Sequence, residues 1–244
     1  MARAAHPNAG DAVNSRTQAY VLLLFGGALL RLAASDALLR YVRAVARPWV
    51  LLAGAAMMAL ALWSLLAGPR GTSGAPRDEH GHDGPSRAGW LVLAPVVAIL
   101  VVAPPALGAY SARRLPVSAI EPPSRHFPPL TGSDPVQVSL LDYYSRAAFD
   151  AGRTLIPHRV ALTGFVLGGG EPGGFQMARL VITCCAADAQ PVVVSVRTPI
   201  AAPSRDAWLT VTGTFGGMSP SDATVPVLRA DAVTRIRPPA DPYD

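Results

Sequence analysis

The chain has 244 residues, of which 50% are hydrophobic and only 15% charged, and all 21 of its basic residues are Arg, leaving a net charge of +5. Length allows one or two domains, and the balance of apolar to charged residues leans toward a membrane protein. The arginines are scattered rather than striped, which excludes a phosphate-tracking nucleic-acid surface, and the two cysteines, adjacent at 184 and 185, are too few for a disulfide framework.

Residues 1–16 are small and polar and read as a disordered N-terminus. The first apolar run is Thr17–Ala34. Its one charge, Arg31, lies near the end, where a long side chain can snorkel to headgroups. A signal peptide cleaved near Ala33-Ala34-Ser35 is the competing reading, and two further apolar runs argue against it. Ser35–Arg47 reads as a basic amphipathic connection, with Arg40, Arg43 and Arg47 on one helical face. Trp49–Leu66 is 18 residues without a charge, just long enough to cross a bilayer. Its Gly and Ala content permits close packing on another helix.

Gly68–Gly89 is a Gly/Pro/Ser-rich loop holding Asp78, Glu79, His80, His82 and Asp83. Imidazole plus carboxylate suits zinc or a similar divalent ion, so His80, His82 and Asp83 are candidate ligands. A solvated polar loop is the plainer reading. The third apolar run, Trp90–Tyr110, has aromatic residues at both ends, and Pro95, Pro104 and Pro105 should kink or shorten it.

Three spans, at 17–34, 49–66 and 90–110, place the termini on opposite sides of a plasma membrane. Arginines in the flanks divide five against five. The clusters nearest the spans, Arg40/Arg43/Arg47 and Arg113-Arg114, incline the reading toward a cytoplasmic C-terminal domain.

Residues 111–134 form a Pro-rich linker. Asp134 and Pro135 then read as N-cap and first residue of a short helix running to about Asp150 and ended by Gly152. Its expected buried face is Leu140, Leu141, Tyr144 and Ala148. Within 135–244, five β runs follow: Val160–Leu167, Met177–Cys184, Pro191–Arg197, Trp208–Phe215 and Val225–Ile236. The expected fold class is thus a membrane α-helical N-terminal part plus a soluble all-β domain, a small OB-like barrel preceded by a short helix. Gly164 and Gly213 mark bends or bulges that closure needs. OB barrels that bind single strands stack bases on aromatic rings. The second and third strands here offer only Phe175 and no Lys, so no nucleic-acid partner is expected.

The pair Cys184-Cys185 sits where the second strand meets a turn. Adjacent Cα atoms are about 3.8 Å apart, below the usual disulfide range. Along a continuing strand the two side chains would face opposite ways, and one would fill the core. If the strand stops at Cys184, the turn can gather Cys184, Cys185 and Asp188 as metal ligands, with His158 the nearest fourth in sequence. A nucleophilic thiol needs a base and an orienting group, and no such trio can be placed, so the chain is not read as an enzyme.

Leu162-Thr163-Gly164-Phe165-Val166, the run from Arg179 to Ala189, Trp208–Gly213 and the terminal Pro239-Ala240-Asp241-Pro242-Tyr243 carry a resemblance. The chain resembles the YcgQ-like family of bacterial membrane proteins. That resemblance implies pairing with a multi-span predicted permease and an association with zinc-responsive regulation. Family members often carry a richer His run in the loop, where this chain has His80 and His82. The expectation is an accessory subunit of a permease in zinc or other metal homeostasis. Its alternatives are a structural assembly subunit without a ligand and a thiol redox-sensing module.

Overall fold

Small side chains in the first two apolar runs let their helices approach closely. In a computed structural model, which describes residues 9–67, 106–115, 126–170 and 172–244, the chain forms two compact units. The first contains α1 (Ala9–Ala34) and α2 (Arg47–Leu66). A β-carbon on Gly54 would come within 3.0 Å of Leu30, so glycine is what lets the two helices meet there. Ala33 and Ala61 are fully buried. α1 begins at Ala9, so part of the segment expected to be disordered is helical.

The expected helix over Ser35–Arg47 does not form. Tight 3-10 turns at Asp36–Arg40 and Ala44–Ala46 flank a non-helical Tyr41–Arg43, so Arg40, Arg43 and Arg47 share no helical face. Arg47 is drawn to the end of α1 instead, where its Nε donates to the Ala33 carbonyl at 2.7 Å. A cation at a helix C-terminus satisfies both a free carbonyl and the helix dipole. The stretch Ala44–Leu66 is the one described helix long and apolar enough to cross a membrane, and the apolar Gln18–Ala34 is shorter. Leu52, Leu60 and Trp63 stand more than half exposed on it. The first expected span is thus a helix but falls short by that measure, and Trp90–Pro105 of the third lies outside the described residues.

The second unit is built on five strands: β2 (Arg159–Val166), β3 (Gly174–Val181), β4 (Gln190–Arg197), β5 (Trp208–Met218) and β6 (Pro226–Arg235). A two-residue β1 (Val136–Gln137) adds to β2 in parallel. The order β2-β3-β4-β6-β5 closes through β2–β5, and β4–β6 is the parallel pair within that ring. This is a closed five-stranded barrel of OB-like topology. Closure demands sharp bends. A bulge falls between Thr212 and Gly213, where a β-carbon on Gly213 would meet the Arg229 carbonyl at 2.1 Å. At Gly164 a β-carbon would lie 2.7 Å from the Ala178 carbonyl.

Inward side chains alternate along the strands: Val160, Leu162 and Val166, then Phe175 and Met177, then Val192, Val194 and Val196. Phe175, the one candidate stacking ring, is therefore a core residue. Helix α4 (Leu140–Phe149) packs into the same core. Its start differs from the expected one. Val136 and Gln137 pair with β2, so the helix cannot begin at Pro135, and Ser139 caps it by accepting from the Asp142 amide at 3.1 Å. The buried face centres on Leu140, Tyr143 and Ala147; the expected Leu141 and Tyr144 are partly buried against the core, and Ala148 is exposed.

Outward side chains of the barrel form a second apolar layer of Phe165, Ala178, Leu180, Val193 and Trp208. The protein covers this layer with its own chain. Helix α3 (Ala109–Ala112) buries Ala109 and Ala112 there, so residues 106–115, read from the sequence as the end of a span and the start of the linker, belong to the barrel unit. Beside it the tail bridges to β3 in parallel through Leu180 and Tyr243, and the Arg179 guanidinium pairs with Asp244 at 3.1 Å.

The Tyr143 hydroxyl, fully buried, donates to the Val227 carbonyl at 2.7 Å and ties α4 to β6. Tyr143→Phe should lose about 1–3 kcal/mol, because it strands a buried acceptor. Denaturant unfolding of the full chain in detergent measures this, and a loss under about 0.5 kcal/mol would contradict the tie.

Candidate functional site

An Asp a few residues past a strand can compete with the ladder for backbone donors. Asp188 does this. Its Oδ1 accepts from the Thr183 amide at 2.9 Å, and its Oδ2 from the Cys184 and Cys185 amides at 2.8 and 3.4 Å. Those amides would otherwise continue β3. The strand accordingly stops at Val181, three residues short of the Cys184 expected from sequence. Ile182 stays buried in the outer layer, and the chain turns through Cys184 and Cys185 into a 3-10 turn, Ala186–Asp188.

The turn removes the obstacle that a strand would impose. The two sulfurs lie 3.6 Å apart, and both sulfurs and a carboxylate oxygen of Asp188 fall within 4.8 Å of one another. Both thiols are free, Cys184 exposed and Cys185 half-buried. The core-filler reading is thus corrected: neither sulfur enters the barrel. Two thiolates at about 2.3 Å from one zinc, held at the tetrahedral angle, are about 3.8 Å apart. The observed spacing is close to that bite.

A second segment holds the turn from outside. The Arg43 amide donates to the Cys184 carbonyl at 3.2 Å, the Ala186 amide donates to the Tyr41 carbonyl at 2.7 Å, and Val42 bridges Cys185 as an antiparallel partner. The Tyr243 hydroxyl donates to the neighbouring Arg40 carbonyl at 2.7 Å. Leu39–Ala44, between α1 and α2 in sequence, is thus part of the barrel unit. Nothing local in the sequence signals this strap, because its partner strand end lies far along the chain.

Proton affinities follow the geometry. The Cys184 thiol and then the turn amides hold the Asp188 carboxyl down to about 2. In return the Asp188 carboxylate, and next the Cys185 sulfur, push the Cys184 thiol up to about 11. At neutral pH the pair is a protonated thiol beside a carboxylate, a poor nucleophile that becomes a thiolate ligand when a cation takes the proton's place. Among the described residues this is the one group of three metal-capable side chains, and His158 is not in it. His80, His82 and Asp83 lie outside the described residues.

Residues 153–243 match the family model of the DUF1980 C-terminal domain. The match takes in all five barrel strands and the Cys184–Asp188 turn. It covers less than half of the chain and leaves out both described membrane-length and shorter apolar helices. No curated protein and no solved structure matches the chain.

Two pH effects are expected. The carboxylate's hold on the turn is fully present above its unfolded value of about 3.9 and fades as pH falls toward about 2. In a Cys185→Ser background, alkylation of Cys184 by iodoacetamide should keep accelerating above pH 9, because the Asp188 carboxylate, the larger cause of its raised proton affinity, is still beside it. Adding Asp188→Asn should move that rise to lower pH. A rate that levels off near pH 8.5, as for an ordinary thiol, would contradict the thiol–carboxylate contact.

Proposed function

We propose that this chain is a membrane-anchored accessory subunit whose β domain binds zinc, or a similar thiophilic divalent ion, through Cys184, Cys185 and Asp188. The observation that carries it is the 3.6 Å separation of two free sulfurs beside a carboxylate that is already ionised. Three protein ligands leave one tetrahedral position open. An open position suits an ion that is taken up and handed on better than one that staples a fold. The barrel has its own closed hydrogen-bonded ring and apolar core, so metal is not needed to hold it together.

The anchor in this reading is Ala44–Leu66, supported by its length and apolar exterior. The other two spans remain part of the proposal, the first at 17–34 and the third from 90 but ending before residue 106, where the chain joins the barrel unit, as do multi-pass insertion in the plasma membrane and a cytoplasmic β domain. The partner is a multi-span permease, and the resemblance to the YcgQ-like family is what supports it. The unreactive state of Cys184 at neutral pH favours a binding role over catalysis. Two neighbouring free thiols, one of them exposed, also favour a second reading, a redox-responsive module, which the same experiment separates.

The full chain, purified reduced in detergent, should hold one zinc ion per chain by elemental analysis after dialysis against a weak chelator. Cys184→Ser and Cys185→Ser should each abolish retention, and Asp188→Asn should weaken it about tenfold or more. His80→Ala with His82→Ala should leave it unchanged if the turn is the site. Absence of tight zinc in the reduced wild type overturns the metal reading. Rapid, reversible oxidation of both thiols without zinc retention would favour the redox module.

A further inference from the structure

A separate feature of the barrel unit points to an anion. Between the end of α3 and the loop entering β5 lies an open cavity of about 480 Å³, lined by Ala109, Tyr110, Arg113, Arg114, Arg205 and Asp206. Three guanidinium groups face one carboxylate, and that carboxylate is committed: Asp206 Oδ1 accepts from the Ala109 amide at 2.7 Å. Arg114 is held in place, its guanidinium 4.0 Å over the Tyr110 ring and donating to the Tyr110 hydroxyl. Among the described residues, Arg113 and Arg205 form no ion pair, although carboxylates elsewhere on this unit pair with Arg146, Arg153, Arg159 and Arg179.

The chemistry that suits such a cavity is phosphate. Guanidinium presents a planar fork matching two phosphate oxygens. The volume is that of a small-molecule site rather than of a bare ion. Arg113 and Arg114 follow directly on the third apolar run, with Tyr110 an interfacial ring at its end. We propose that this cavity binds a phosphate-bearing anion, and that the headgroup of an anionic phospholipid is the source. The lipid source rests on the membrane reading above, whereas the anion site does not, and neither depends on the metal site.

The test uses the full chain in a non-ionic detergent, with thermal unfolding followed by tryptophan fluorescence. Short-chain phosphatidylglycerol, short-chain phosphatidylcholine and inorganic phosphate are titrated separately. Phosphatidylglycerol should raise the midpoint saturably while phosphatidylcholine does not. Arg113→Gln with Arg205→Gln should shift the titration about tenfold or more to higher concentration. Arg229→Gln, an exposed arginine on β6, should leave it in place. A rise with inorganic phosphate as well supports the site with free phosphate as its ligand. Equal effects of both lipids, no rise with any anion, or an unaltered titration in the double variant overturns the proposal. Both arginines are exposed, so the substitutions spare the core, and zinc retention of the same samples should not change.

Discussion

Closure of the barrel through β2 is the constraint on which the rest depends. β2 pairs with β5 over seven residue pairs while its far end holds β3 and its near end holds β1. A strand with partners on both edges has no free donors to offer a neighbour. The inner faces then make a core that α4 packs against, and the Tyr143 hydroxyl reaches a β6 carbonyl across it. The outer faces of the same strands carry a local apolar patch, where Phe165 and Trp208 meet edge-on across the β2–β5 pair. That second layer cannot be left in water. α3 and the tail cover it, so the barrel's outside is built from segments distant in sequence.

The covered outer layer bears on function. In OB folds a face of the barrel commonly serves ligands. Here apolar residues of β2, β3 and β4 on that side are sealed by the chain itself, and Phe175 points into the core. What remains for chemistry is the rim. The turn after β3 presents sulfur and carboxylate, and the junction of α3 with the β4–β5 connection presents guanidinium groups. The two are chemically opposite, one suited to a soft cation and the other to a hard anion.

At the turn, a single side chain does three things. Asp188 stops β3 by taking its next amides, aligns the two sulfurs on one side, and raises the thiol's hold on its proton. The strap Tyr41–Arg43 is then able to pair with the exposed backbone that β3 has vacated. One polar side chain, Asp188, therefore bears on local structure, site geometry and a long-range contact together.

Much of this was legible in the residues alone. Alternating apolar positions and Gly/Pro punctuation located the five strands to within a few residues, and Gly213 marked a bulge, because these signals are local. The pairing of Cys184, Cys185 and Asp188 could be posed as a question but not answered. Its outcome depended on whether ladder partners or a carboxylate would claim the amides of Thr183, Cys184 and Cys185. Tertiary structure decided that competition, along with the later start of α4, which follows from β1 pairing with β2. It also decided the fate of Tyr41–Arg43 and of Ala109–Ala112, read from sequence as parts of an amphipathic helix and of a span and linker. Both segments are claimed by barrel surface that lies more than 60 residues away in the chain or further, and no periodicity within a segment reports on a partner at that distance.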